Sequence, residues 1–226
     1  MIFITGTDTN IGKTVATFVL GVLMQRRGID VGVMKPVQCS GNDARFLKES
    51  LKIKDSIEEI NPFYAPEPLS PHLAFGRRGQ VIDVKKTKKI YDGLSQKHEY
   101  MLVEGAGGVM VPLGNNYFVL DMIKELNLDV VIVAGLGLGT INHTILTINQ
   151  VRSVGLNVRG VIFNEGLSEV RGIPEQTNPQ AIEEFGDVKI LGTIPYLDNF
   201  GNEHVVKVCS NKVNIQEIVD LFKVLG

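Results

Sequence analysis

The chain has few cysteines, little net charge and no long apolar run. Only Cys39 and Cys209 occur in 226 residues. Neither belongs to a CxxC pair, which argues against a disulfide framework and a structural zinc site. That usage predicts a reducing, cytoplasmic setting. The formal net charge is −2, so no overall field draws the molecule to nucleic acid or to an anionic membrane. No run approaches the roughly 18 apolar residues of a membrane span. The start Met-Ile-Phe-Ile-Thr-Gly carries no basic segment and no cleavage site, which predicts no signal peptide. Repeats, low-complexity tracts and linkers are absent as well.

Hydrophobic residues make up 44% and charged residues 21%, the balance of a globular domain with an ample core. Short apolar, β-branched runs alternate with helical patterns. Strands are expected at Ile2–Thr5, Val31–Val37, Tyr100–Glu104, Leu128–Ala134, Val158–Asn164 and Lys189–Pro195. Helices are expected at Thr14–Arg27, Asp43–Leu51, Asp83–His98, Ile141–Val154 and Asn214–Leu225. Asn61–Gly79 holds four of the nine prolines and reads as a loop reaching over something. Strands buried on both faces show as unbroken apolar runs, the mark of a parallel sheet. The expectation is one α/β domain over residues 1–226, a mainly parallel sheet flanked by helices. Ligands of such sheets sit at the carboxyl ends of the strands, so the loops there are where chemistry belongs.

The first of those loops is Gly6-Thr7-Asp8-Thr9-Asn10-Ile11-Gly12-Lys13-Thr14, set between a strand and a helix. Gly12 lets backbone N–H groups turn toward phosphate oxygens, and the helix N-terminus adds positive potential. Lys13 can meet the β- and γ-phosphates, and Thr14 can offer its hydroxyl to Mg²⁺. The usual spacing G-x-x-x-x-G-K-[ST] would put glycine at position 7; here Thr7 stands there and Gly6 precedes it. The expected fold is therefore P-loop NTPase-like, with ATP and Mg²⁺ at this loop.

Three further strand ends carry polar residues. Lys35 follows the second apolar run, where it either holds an anion or snorkels to the surface. Asp43 lies shortly after, as a carboxylate for Mg²⁺ or as a helix N-cap. Glu104 ends the third apolar run and is followed by Gly105-Ala106-Gly107-Gly108. That is where P-loop proteins place a metal-side acid. Thr14, Asp43, Glu104 and phosphate oxygens make a chemically sensible Mg²⁺ set. The fourth run leads into Gly135–Gly139 and then Thr140-Ile141-Asn142-His143. A glycine turn opening a helix there suits a carboxylate. Cys39, close to a lysine, is expected to have a lowered pKa.

Taken together these segments resemble the dethiobiotin synthetase family over nearly the whole chain. The likeness rests on Gly6-Thr7-Asp8-Thr9-x-x-Gly12-Lys13-Thr14, Lys35-Pro36-Val37, Ser70-Pro71-His72, Val103–Gly108, Gly139–His143, Asn164 and Ile194-Pro195. The family shares the extra loop residue. The resemblance implies a ligase that carboxylates diaminopelargonic acid with CO₂ and closes the ureido ring with ATP. It implies Lys35 as the residue beside the carbamate and Lys13 between carbamate and γ-phosphate. Thr14, Asp43 and Glu104 take the family's metal positions. Thr9, Asn10, Ile11, Gly12, Gly105, Ala106 and Gly107 fall in its ATP site. Asn164 and Glu165, with Pro195, Tyr196 and Leu197, take its adenine side. The substrate side comprises Thr9, one of Cys39 and Ser40, and Thr140, Ile141 and Asn142. The last three receive the substrate carboxylate across a homodimer interface. His72 and His143 read as structural. Segment Glu165–Asn178 matches the family poorly.

Two other classes stay in view. Partition- or positioning-type ATPases share this fold but carry a second lysine early in the loop, where this chain has Thr7-Asp8-Thr9. A glutamine-dependent synthetase would need a further domain that a chain of this length does not hold.

Overall fold

The computed structural model describes residues 1–114, 116–166 and 172–219. In chain order they form β1 (Ile2–Gly6), α1 (Lys13–Arg26), β2 (Val31–Met34), β3 (Val37–Cys39), α2 (Asp43–Ser50), α3 (Ile57–Ile60) and β4 (Phe63–Ala65). There follow α4 (Pro71–Gly76), α5 (Val84–Lys97), β5 (Tyr100–Glu104), β6 (Pro112–Gly114), β7 (Tyr117–Phe118) and α6 (Val119–Leu126). The remainder is β8 (Asp129–Ala134), α7 (Thr140–Ser153), β9 (Val158–Asn164), α8 (Ile173–Gly186), β10 (Ile190–Ile194), α9 (Asn202–Cys209) and α10 (Ile215–Val219).

Six strands make one parallel sheet in the order β10-β9-β8-β1-β5-β2. The apolar runs expected as strands are those strands, and every residue of β1 and β5 is buried. Helices α1, α2, α9 and α10 cover one face with a core built on Phe18, Leu20, Met24 and Leu47. Helices α4 to α8 cover the other, over Phe3, Met101, Ile132 and Phe163. Helix α1 is buried along most of its length, as a helix lying between sheet and neighbours must be. Gly21 makes that packing close: a Cβ there would lie 2.6 Å from Leu51 Cδ1.

Several elements differ from those expected. The expected strand Val31–Val37 is two strands. Its ladder with β5 ends at Met34, and Pro36 has no N–H with which to extend it. The chain then steps into β3, which pairs with β4 in a separate two-stranded sheet. The loop expected at Asn61–Gly79 therefore contains β4 and α4. The β6–β7 hairpin and helices α6, α8 and α9 were not expected. The closing helix expected over 214–225 is described only as far as Val219.

A charged cluster pins α3. Ser56 caps it in a capping box with Glu59. Lys97 binds Glu59 at 2.6 Å and Asp55 at 3.1 Å, and His98 joins Asp55 at 2.6 Å to Asp30 at 3.0 Å. The Lys97 ammonium foremost, then the Ser56 hydroxyl and N–H, pull the Glu59 carboxyl from 4.5 down to about 2. A depressed folded-state value adds stability above the unfolded value and loses it as pH falls toward the folded one. Between pH 5 and pH 2 the wild type should lose more stability than Glu59→Gln. The partly exposed pair limits the difference to under about 1 kcal/mol. Urea unfolding at stepped pH measures it; identical pH slopes would remove the pair from the account.

Candidate active site

The carboxyl ends of β1, β2 and β5 converge on one cavity of about 750 Å³. The loop after β1 wraps over it. Gly6 ends the strand with its Cα close beneath that loop: a Cβ would lie 2.7 Å from Ile11 Cγ2 and 3.0 Å from Asp8 O. A side chain at position 6 would push against Ile11 and the loop backbone. Gly12 has φ +97° and opens α1, with a would-be Cβ 2.1 Å from Asn164 Nδ2. Asn164 closes on the loop from outside by donating to the Ile11 carbonyl at 3.1 Å. Gly12→Ala therefore meets both strain at positive φ and a clash. ATP affinity should fall at least about tenfold (~1.4 kcal/mol). Calorimetric titration reads this, and wild-type affinity in Gly12→Ala would contradict it.

Register sets the acid. Glu104 pairs with Ile4 in the sheet, and Gly105 donates to the Ile4 carbonyl at 2.9 Å. The carboxylate, fully buried, accepts from the Thr14 hydroxyl at 2.8 Å and from Lys35. Lys35 also pairs with Asp43 at 3.0 Å. It is 4% exposed, so the snorkelling alternative is excluded. Asp43 is the first residue of α2 rather than its cap, which is Asn42. Burial alone pushes the Lys35 pKa down, but the charges and hydrogen bonds of Glu104 and Asp43 outweigh it and leave it raised.

Lys13 is 7% exposed and donates to the Asp8 carbonyl at 3.0 Å. Burial first, then the neighbouring Lys35 charge, lower its pKa to about 8 against the pull of Glu104, Asp43 and Asp8. Two ammonium groups thus share one cavity with two carboxylates. Cys39 differs from expectation: burial raises its pKa and Lys35 only partly opposes. Lys35 already gives its charge to two carboxylates, so little is left for a thiolate.

Thr9, Asn10, Gly12, Lys13, Thr14, Lys35, Cys39, Ser40, Asp43, Glu104, Ala106 and Gly107 all line the cavity. Both Cys39 and Ser40 do, so position does not choose between them. Ser40 has φ +63°, and Gln38 braces that turn by donating to the Ser40 carbonyl at 2.9 Å and accepting from Ala44 N–H at 3.1 Å. Sequence reasoning missed Gln38, whose signal was a polar residue closing an apolar run. It also left Pro68 and Leu69 unassigned. They line the cavity, so the proline-rich segment does reach over a site. His72 is exposed and joins Ser70, a cavity residue, at 3.0 Å.

Other expected residues lie elsewhere. Glu165, Pro195, Tyr196 and Leu197 do not line the cavity. Tyr196 N–H donates to Glu165 at 3.2 Å, and Glu165 N–H to Ile194 at 3.0 Å. Leu197 is buried in the core. Thr140 donates its hydroxyl to the Gly135 carbonyl at 2.6 Å. Ile141 is half-buried and Asn142 exposed. None of these three lines the cavity. Of the poorly matching Glu165–Asn178 segment, residues 167–171 lie outside the described residues.

The oxygen donors fit a hard divalent cation. Glu104 Oε2 is buried and has no hydrogen-bond partner among the described residues, while Asp43 stays partly open to the cavity. Lys35 now bridges the two carboxylates as a cation would.

No helix among the described residues is long and apolar enough to cross a membrane. The AAA domain family matches residues 1–204. An ATP-dependent dethiobiotin synthetase of Methanococcus vannielii is 43% identical over 197 residues, covering 86% of this chain and 92% of its own. One of Bacillus licheniformis is 39% identical, over 96% and 95% of the two chains. Among solved structures, the MinC:MinD cell division complex of Aquifex aeolicus matches with TM-score 0.60 at 20% identity, over 99% of this chain and 94% of that one. That likeness is one of fold, that of a P-loop NTPase. On the strength of the sequence relatives, the chain belongs to the ATP-dependent dethiobiotin synthetase family of ligases.

Proposed function

We propose that this protein converts 7,8-diaminopelargonic acid, CO₂ and ATP into dethiobiotin, ADP and phosphate, and so serves biotin biosynthesis. The observation that carries the reading is the pair of buried ammonium groups, Lys13 and Lys35, in one cavity under a phosphate loop. One substrate amine adds to CO₂ and gives a carbamate. A carbamate oxygen attacks the γ-phosphorus and ADP leaves. The second amine attacks the carbonyl carbon of the mixed anhydride, and phosphate leaves as the ring closes.

Carbamate and triphosphate are both anions, and at contact they repel. Cations fixed in place offset that repulsion without reorganising during the reaction. Lys35 stands beside the carbamate, and Lys13 moves from the Asp8 carbonyl onto carbamate and γ-phosphate. Thr14, Asp43 and Glu104 hold Mg²⁺, which supplies charge neutralisation at the phosphate oxygens. Backbone groups of Thr9–Gly12 and Gly105–Gly107 surround the phosphates, with the α1 N-terminus behind them. Asn164 and Glu165, with Pro195, Tyr196 and Leu197, take the adenine. Thr9 and Cys39 or Ser40 flank the diamine. No side-chain nucleophile is needed, since in-line transfer depends on positioning and charge.

Thr140, Ile141 and Asn142 lie outside this cavity, and in this reading they bind the substrate carboxylate of a second copy's site. Leu146 stands exposed one helical turn from Asn142, and Leu138 is 95% exposed just before α7. This is apolar surface that a homodimer would cover.

The competing reading is an ATPase that switches a positioning system, since such proteins share the fold. Release of ADP separates the two. A synthetase should release ADP only when diamine and CO₂ are both present. ADP release at full rate without diamine would overturn the proposal.

A further inference from the structure

Lys35 sits where the sheet lets go of the chain. Its N–H and C=O lie beyond the last β2–β5 pair, Met34 with Val103, and Pro36 cannot donate a hydrogen bond. A buried carbonyl left without a donor costs about 1–3 kcal/mol. The short segment after α3 supplies what the sheet does not. Lys35 N–H donates to the Ile60 carbonyl at 2.7 Å, and Asn61 Nδ2 donates to the Lys35 carbonyl at 2.6 Å. Phe63 N–H then takes the Pro36 carbonyl at 3.2 Å.

We propose that Asn61 is a positioning residue: its amide holds the Lys35 main chain at this break and thereby aims the Lys35 ammonium into the cavity. The proposal rests on the reading of Lys35 as the residue beside the carbamate. Three observations carry it. The Asn61 amide nitrogen faces two carbonyls, Lys35 at 2.6 Å and Phe63 at 3.4 Å, so the nitrogen, not the oxygen, must point that way. Pro62 keeps Asn61 out of the α-helical region, and Asn61 has φ −133° and ψ 77°. The hook is thus stiff on both sides, with a proline following each clasped residue. Its base is fixed in turn, because α3 is tied through Glu59 to Lys97 and Asp55 binds Lys97 and His98. Asn61 itself does not line the catalytic cavity; it acts through Lys35.

Misplacing a reacting group by about 1 Å can cost on the order of 10²-fold in rate. Asn61→Leu keeps the size and removes both donors. Turnover per ATP-binding site should fall about 10- to 100-fold, while the Kd for ATP stays within about threefold. Normalising to sites titrated with ATP removes any loss of folded protein. A second readout needs no turnover: in ¹⁵N-lysine-labelled protein the Lys35 Nζ resonance, assigned with Lys35→Arg, should shift in Asn61→Leu. Should that variant fail to fold, Asn61→Ser, which shortens the side chain and withdraws the amide from the Lys35 carbonyl without adding charge, serves with the same expected outcome.

An unmoved Nζ resonance would overturn the proposal, even with turnover lost, since the effect would then not pass through Lys35. Wild-type turnover per site would overturn it as well. If the resonance moves while the wild-type protein makes no dethiobiotin, the positioning claim is supported and the functional reading fails instead.

Discussion

Lys35→Ala should abolish ring closure while leaving ATP binding within about threefold of wild type. Loss of one electrostatic contact that matters in the transition state costs about 10²- to 10³-fold, and Lys35 also aligns the carbamate. The nucleotide keeps its main holds, which are the loop backbone, Lys13 and the start of α1. The same change should destabilise the protein without ligand. Glu104 is fully buried, and removing its cation leaves an uncompensated charge, worth about 3–5 kcal/mol in buried pairs. Added Mg²⁺ should restore part of that stability, because it binds the folded carboxylates and not the unfolded chain. Lys35→Met keeps much of the side-chain volume and isolates the charge. Its turnover should be as low as that of Lys35→Ala. Quenched-flow turnover and thermal unfolding read the two effects separately, and wild-type-like turnover in either variant would refute the role.

Glu104→Gln should be the next most damaging change. It keeps shape and removes a negative charge that meets Thr14 and Lys35 at once. The Mg²⁺ set loses a charged oxygen and Lys35 keeps only Asp43. At limiting Mg²⁺, turnover should fall on the order of 10²-fold and recover in part at saturating Mg²⁺. Full activity at limiting Mg²⁺ would remove Glu104 from the metal site.

The long buried strands were legible where their apolar runs have no polar interruption, as in Ile2–Ile4 and Val130–Ala134. The phosphate loop was legible because glycine, lysine and threonine stand between a strand and a helix. Lys35 was found, but its setting was misread. An apolar run continuing through Pro36 looked like one strand, whereas the missing N–H of Pro36 ends the ladder and hands the chain to a second sheet. Helix α8 was hidden by Pro174 and Pro179. The first falls in the opening turn, where proline is tolerated, but both read as breakers in a bare sequence. Helix α9 follows Asn199-Phe200-Gly201, whose turn residues read as a loop. The role of Asn61 is invisible locally, since it depends on the fold bringing the Lys35 carbonyl within 3 Å.

The meeting of carbamate and triphosphate beneath Lys13 and Lys35 is tested most directly by following the oxygens of CO₂. With diaminopelargonic acid, Mg-ATP and freshly dissolved ¹⁸O-labelled CO₂, one label should appear in the ureido carbonyl. One should appear in the released phosphate, with one ADP formed per dethiobiotin. Dethiobiotin formed with unlabelled phosphate, or ADP released without dethiobiotin, would contradict the account.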